Sequence, residues 1–244
     1  MGAGLAGFGY LGYKIADMNR NKMSYLAEGQ TYMSPLVQSR LSKTFGWFSY
    51  GLLSTAGSVY YLRNSTAWAV IPWWAFMGGM MACGAASHAF DYDTQLPFKV
   101  MSFTAMTWLM GLTIVPLVQG FGVAVAADAA LATGLSMATL GGIAFYSPSE
   151  QFLNWGGALG MACTGMLFVS VASIFNPASN ALYNMWLWGG LGLTGALTLY
   201  DTQAILHNAK TVQRFDPLGN CIGIYMNAIN FFIRMMLIMG GNKK

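Results

Sequence analysis

Asp201, Asn227, Asn230 and Arg234 are the polar side chains in the last two apolar stretches of this chain whose types and spacing could do chemistry. Asp201 lies in the stretch 183–206, and Asn227, Asn230 and Arg234 lie in 220–240. If both stretches are helical, the i, i+3, i+7 spacing of Asn227, Asn230 and Arg234 puts them on one face. Asp201 is five residues from the end of its stretch, about 7–8 Å deep at a rise of 1.5 Å per residue. Asn227 is seven residues into the next stretch, about 10 Å from the same edge. Two consecutive antiparallel helices would thus bring a carboxylate and a carboxamide to similar depth. Such a pair can meet a cation or a proton, or it can serve as a hydrogen-bonded anchor between helices. Asp201 could also be merely interfacial. Arg234 either faces the bundle or snorkels outward.

Other candidates lie at the same edge. His88 closes the stretch 67–87 and either reaches Asp201 or stays solvated. Glu150, beside Pro148, is a loop cap or part of a mouth on that side. Asp128 is near the start of the stretch 124–146, where a helix N-terminus favours a carboxylate. Enzyme chemistry is not expected. The chain has two histidines, His88 and His207, and no H-E-x-x-H, G-x-S-x-G or P-loop. Gly2-Ala3-Gly4-Leu5-Ala6-Gly7 fits G-x-G-x-x-G but lacks the βαβ frame that gives the pattern meaning. Cys83, Cys163 and Cys221 fall in apolar stretches without a C-x-x-C pair and read as small buried hydrophobes. No resident cofactor is implied. A cation enters only as an ion that Asp201 could meet.

Composition sets the frame for these residues. Of 244 residues 55% are hydrophobic and 8% charged, against about a quarter charged in an ordinary soluble domain. So few charges cannot cover a soluble fold, and so much apolar content excludes disorder. An all-α polytopic membrane protein remains. A charge in the bilayer costs about 2.5–3.5 kcal/mol on insertion scales, so Asp201 and Arg234 each need a reason. The net charge of +4 is scattered, which argues against nucleic acid as a partner. The lipid bilayer is the expected environment, and the oligomeric state is open.

Seven spans of about 20 residues fit: 43–62, 67–87, 98–118, 124–146, 152–175, 183–206 and 220–240. A short apolar segment, 2–16, precedes them. The expected organisation is an N-terminal segment and polar loop, 1–42, then a seven-helix domain, 43–244. Arg63-Asn64-Ser65, Asp91-Tyr92-Asp93, Ser147-Pro148-Ser149-Glu150, Asn176-Pro177 and Asp216-Pro217 punctuate the spans. Trp47, Trp155, Trp186 and Trp188 fall near span ends, as an aromatic belt would. Gly156, Gly160, Gly189, Gly190, Gly192 and Gly195 suit close helix packing. Lys14, Arg20, Lys22, Arg40, Lys43, Lys99, Lys210 and Arg214 fall on one face of the membrane, side A; Arg63, Lys243 and Lys244 fall on side B. Positive charge inside then turns side A to the cytosol or the mitochondrial matrix.

Tyr200-Asp201-Thr202-Gln203 on the penultimate span, with a last span ending in a basic tail, resembles the transmembrane Bax-inhibitor-motif family, and within it the mitochondrial branch. Ser147 to Asn154, Phe215-Asp216-Pro217, Ile224-Tyr225-Met226, Asn230, Arg234 and Gly240-Gly241-Asn242-Lys243-Lys244 carry the same likeness, which runs from about residue 43 to the C-terminus. The resemblance implies a seven-helix core, pH-sensitive calcium leak or calcium/proton exchange, and restraint of apoptosis. For the mitochondrial branch it also implies an inner-membrane location, cristae organisation, cytochrome c retention and inner-membrane protein partners. The endoplasmic reticulum is the alternative membrane. In the family, aspartates on the last two helices share a proton. Here Asp201 matches the first, and Asn227 stands where the second would be. Loss of that acid favours a non-transporting membrane scaffold as the alternative reading. His88 stands where the mitochondrial branch carries a basic residue, and an imidazole paired with Asp201 would move pH sensing to itself. Residues 1–16 are apolar and Gly-rich, unlike an Arg- and Ser-rich presequence.

Overall fold

The computed structural model describes residues 34–64, 66, 72–147 and 150–241. The apolar segment 2–16 lies outside them, as do Trp68 and the basic tail. The described elements are α1 (Pro35–Leu62), α2 (Trp73–Ala89), α3 (Leu96–Phe121), α4 (Val123–Tyr146), a 3₁₀ turn (Leu153–Trp155), α5 (Gly156–Phe175), α6 (Asn180–Asn184), a π-helical stretch (Met185–Gly189), α7 (Gly190–Thr211) and α8 (Pro217–Gly241). The α6, π and α7 pieces form one unbroken rod, so the described residues make seven rods, as the apolar spans predict. The chain divides into two contact units, Met1–Gln38 and Ser39–Lys244. α1 begins at Pro35, eight residues before the apolar span that starts at 43.

Among the described residues four helices are long and apolar enough to cross a membrane: Leu96–Phe121, Val123–Tyr146, Leu153–Phe175 and Pro217–Gly241. α1 and α7 are more polar than these, since both carry rows of hydroxyl groups. Local signals set the ends. Pro97 opens α3, where its missing N–H costs nothing. Gly122 ends α3 and starts α4 at φ +88°, a backbone that side chains with a Cβ rarely adopt. Asp216 caps α8, its Oδ1 accepting the Gly219 N–H at 3.0 Å.

α3 and α8 supply most of the core. Phe103, Met106, Met110 and Ile114 recur every three or four residues on α3 and bury one stripe. Leu218, Cys221, Ile222, Tyr225, Ile229 and Met236 meet them from α8. A hydroxyl network ties in α1: Thr55 Oγ1 lies 2.6 Å from the Tyr225 hydroxyl, and Ser54 Oγ lies 2.8 Å from Thr107 Oγ1. Gly111 lets α3 approach Ser58 so closely that no Cβ would fit there. α7 packs against α4, α5 and α8. α5 is peripheral, with Leu159 its one buried residue.

Candidate functional site

α7 and α8 run antiparallel and extend past the apolar spans that locate them. α7 continues to Thr211 and α8 begins at Pro217. Asp201 and Asn227 are therefore each ten residues, about 15 Å, from their helix ends. That is deeper than the 7–10 Å expected from hydropathy. The extension is held by Arg40 of α1, whose guanidinium donates to the Ala209, Val212 and Gln213 carbonyls at 3.0, 2.7 and 2.9 Å. Ala209 is in the last turn of α7, where a helix leaves carbonyls without partners, and Val212 and Gln213 follow it.

At that depth the Asn227 Nδ2 donates to Asp201 Oδ2 at 2.7 Å. Asn227 is buried and Asp201 half-buried. The amide is the carboxylate's one hydrogen-bond partner among the described residues. A charge-assisted bond of this kind is worth about 1.5–3 kcal/mol. The approach depends on Gly223 of α8: a Cβ there would stand 2.8 Å from Asp201 Oδ2.

The other end of the pair repeats this construction with the roles exchanged. Arg234 of α8 is buried against Gly190 of α7, where a Cβ would overlap the guanidinium. Its Nε donates to the Trp186 carbonyl at 3.4 Å and its Nη1 to the Asn230 carbonyl at 3.2 Å. The guanidinium carbon lies 4.9 Å from the centre of the Trp186 ring. Arg234 therefore faces the bundle instead of snorkelling, because a π-helical carbonyl and an indole face receive it. Gly190 and Asp201 are eleven residues apart on α7, and Gly223 and Arg234 are eleven apart on α8. Eleven residues is close to three turns, so on each helix the notch and the charge share a face. Asn230 sits between, its Nδ2 bonded to the Met226 carbonyl at 2.9 Å.

Thr194, Thr198 and Thr202 follow the same α7 rod at four-residue spacing, all buried. Each hydroxyl donates to the carbonyl four residues earlier. On α4, Thr133 Oγ1 is a buried side-chain oxygen with no hydrogen-bond partner among the described residues. The four residues Tyr200 to Gln203 divide around the helix. Tyr200 backs onto Gly156 of α5, Asp201 meets α8, and Thr202 faces Gly141 of α4. Gln203 Oε1 accepts the Phe152 N–H at 2.7 Å and so closes the α4–α5 connection.

The remaining candidates are not part of this cluster. His88, in the last turn of α2, is exposed, and no hydrogen bond or ion pair joins it to Asp201. The buried cation at this end of the bundle is Lys99, which the sequence places among the loop charges of side A. It is 1% exposed and bonds Asp216 Oδ2 at 2.6 Å and the Phe90 carbonyl at 2.8 Å. Glu150 pairs with His207, Oε1 to Nδ1 at 2.6 Å, on an exposed surface. Asp128 is exposed and lies beyond the first turn of α4. Among the described residues no three His, Cys, Asp or Glu side chains converge to hold a metal ion.

Residues 37–244 match the family described as Inhibitor of apoptosis-promoting Bax1. The chain is 30% identical to the growth hormone-inducible transmembrane protein of Rattus norvegicus over 229 residues, 85% of this chain, and spans 65% of that protein's length. It is 23% identical to inner membrane protein YbhL of Escherichia coli K12, with 85% of this chain and 93% of that protein covered. It is 21% identical to Bax inhibitor 1 of Rattus norvegicus, with 88% and 90% covered. A family match over most of the chain and an all-helical bundle with bilayer-length helices lead to one assignment: this chain is a polytopic membrane protein of the Bax-inhibitor family.

Proposed function

We propose that the protein handles ions in the mitochondrial inner membrane and has no enzymatic role. It moves Ca²⁺ by a pH-linked leak or in exchange for protons, and Asp201 is the group the ion meets between α7 and α8. The observation that carries this reading is the part-buried Asn227–Asp201 bond at 2.7 Å. A bilayer tolerates a carboxylate only where neighbours satisfy it, and such groups mark ion and proton routes. The pair offers few oxygens, whereas a resident Ca²⁺ takes six to eight. That poverty suits passage over storage, because a conducted ion must also leave.

The mitochondrial location rests on the likeness to the growth hormone-inducible transmembrane protein. Roles in cristae organisation and restraint of apoptosis, with inner-membrane protein partners, follow from the same likeness. Reconstituted protein in Ca²⁺-indicator liposomes tests the ion reading. Asp201→Asn should abolish pH-dependent Ca²⁺ movement, and equal flux from both proteins would reject the mechanism.

One observation favours a second reading, a scaffold without transport. Asn227 cannot ionise, so this pair cannot share a proton as two acids would. Asn227→Asp separates the readings. Transport that arises only in that variant makes the natural protein the scaffold.

A further inference from the structure

An apolar cavity of about 620 Å³ opens between α1 and α4, with α3 and α8 behind it. Leu52 and Val59 line it from α1, Ala130 and Met137 from α4, Ile114 from α3 and Phe232 from α8. The volume is in the range of about 300–1,000 Å³ that suits a small ligand. The cavity opens sideways, since Leu53 and Val123 on its wall are 73% and 63% exposed. In a membrane bundle that opening meets hydrocarbon chains.

One end carries a cation. Arg63, just beyond the end of α1, lines the cavity, its guanidinium carbon 4.5 Å from the centre of the Tyr60 ring. Gln119 Nε2 donates to the Arg63 carbonyl at 2.7 Å and fixes the backbone there. No carboxylate lies within ion-pair distance of Arg63 among the described residues. Asp128 of α4 is about 200° around the helix from the cavity-lining Ala126 and Ala130, so it belongs to the opposite face. From Arg63 to Phe45 the α1 wall runs about 27 Å, close to the roughly 30 Å of the hydrocarbon core. The slot thus follows most of the hydrocarbon thickness, with its positive charge at one headgroup end.

We propose that this cavity is a lipid site: one acyl chain of an anionic phospholipid fills the slot, and its phosphate rests on Arg63. Moving a tail from bilayer to slot gains little hydrophobic energy, because lipid tails are as apolar as the lining. Packing therefore holds the chain, and the guanidinium decides which headgroup stays.

The test is native mass spectrometry of the purified protein from detergent containing equal phosphatidylglycerol and phosphatidylcholine. The natural protein should retain one phosphatidylglycerol in preference to phosphatidylcholine. Arg63→Gln should reduce that preference about fivefold, the effect of one cation near a charged lipid surface, and Arg63→Lys should keep most of it. Ala130→Phe, which fills the slot, should lower retention of both lipids; Ala138→Leu serves if that variant does not fold. Equal retention of the two lipids by the natural protein would overturn the proposal. So would phosphatidylglycerol retention unchanged in Arg63→Gln and the slot-filling variant, or a natural protein that retains neither lipid.

Discussion

The contact of Gly223 with Asp201 can be tested by adding one carbon. In Gly223→Ala the new Cβ would lie 2.8 Å from Asp201 Oδ2, closer than real Cβ contacts allow. α8 cannot readily move away, because its other end is seated by Arg234 on Gly190. The carboxylate must then shift, and it is held by a 2.7 Å bond to Asn227 on the same helix as the new methyl. Losing a charge-assisted bond costs about 1.5–3 kcal/mol. Alanine in place of glycine returns up to about 1 kcal/mol of helix propensity. The net is a destabilisation of about 0.5–2 kcal/mol. Gly192→Ala on α7 is the control, since nothing lies within 4 Å of a Cβ there, and it should be neutral or stabilising. Reversible unfolding of the purified protein in mixed micelles gives both values. In the Asp201→Ala background the obstacle is gone, and Gly223→Ala should also become neutral or stabilising. If Gly223→Ala is as stable as Gly192→Ala in the natural background, the carboxylate does not depend on that notch.

Two further outcomes concern side A. Asp216→Ala should destabilise more than Lys99→Met, by the same unfolding measurement. Removing Asp216 strands a cation that is 1% exposed, for which about 3–5 kcal/mol is typical of a broken buried pair. Removing Lys99 leaves a carboxylate that is 33% exposed and can be hydrated. Gln203→Leu should cost about 1–3 kcal/mol by leaving the buried Phe152 N–H without an acceptor. Hydrogen exchange at the Phe152 amide should rise in that variant, and unchanged protection would show that another group takes over.

The seven rods were readable in the sequence because long apolar runs between Pro, Asn and Asp punctuation carry both length and boundary. The depth of the site was not. Residues 207–211 look like a loop because they are polar, yet they are helical, and Arg40, more than 160 residues earlier, holds the Ala209 carbonyl and the Val212 and Gln213 carbonyls just beyond. Lys99 failed for a similar reason: a lysine at the start of a span reads as a surface charge until Asp216 folds over it. His88 was the basic group that its place at a span end and the family likeness put forward, but it lies exposed at the end of α2. Asp201 and Asn227 were legible because an isolated polar group in an apolar run stands out against its neighbours. Of the glycines that suit packing, Gly156 and Gly190 receive Tyr200 and Arg234, whereas a Cβ at Gly160 or Gly192 would meet nothing. Gly223 drew no notice, because a notch has meaning only when the side chain that enters it is known.

The matched eleven-residue intervals on α7 and α8 restrict how these two rods can move. A piston-like slip of one turn, about 5.4 Å, would lift both charges out of their recesses and break the bonds that hold them there. Hinging apart is the remaining motion, and it is not local. Prising the rods open breaks Asp201 from Asn227 and Arg234 from Trp186 in a single event, although the two locks stand about 16–17 Å apart. A disturbance that loosens one lock thereby weakens the grip at the other, and the two leaflets of the membrane are mechanically joined through this pair of helices.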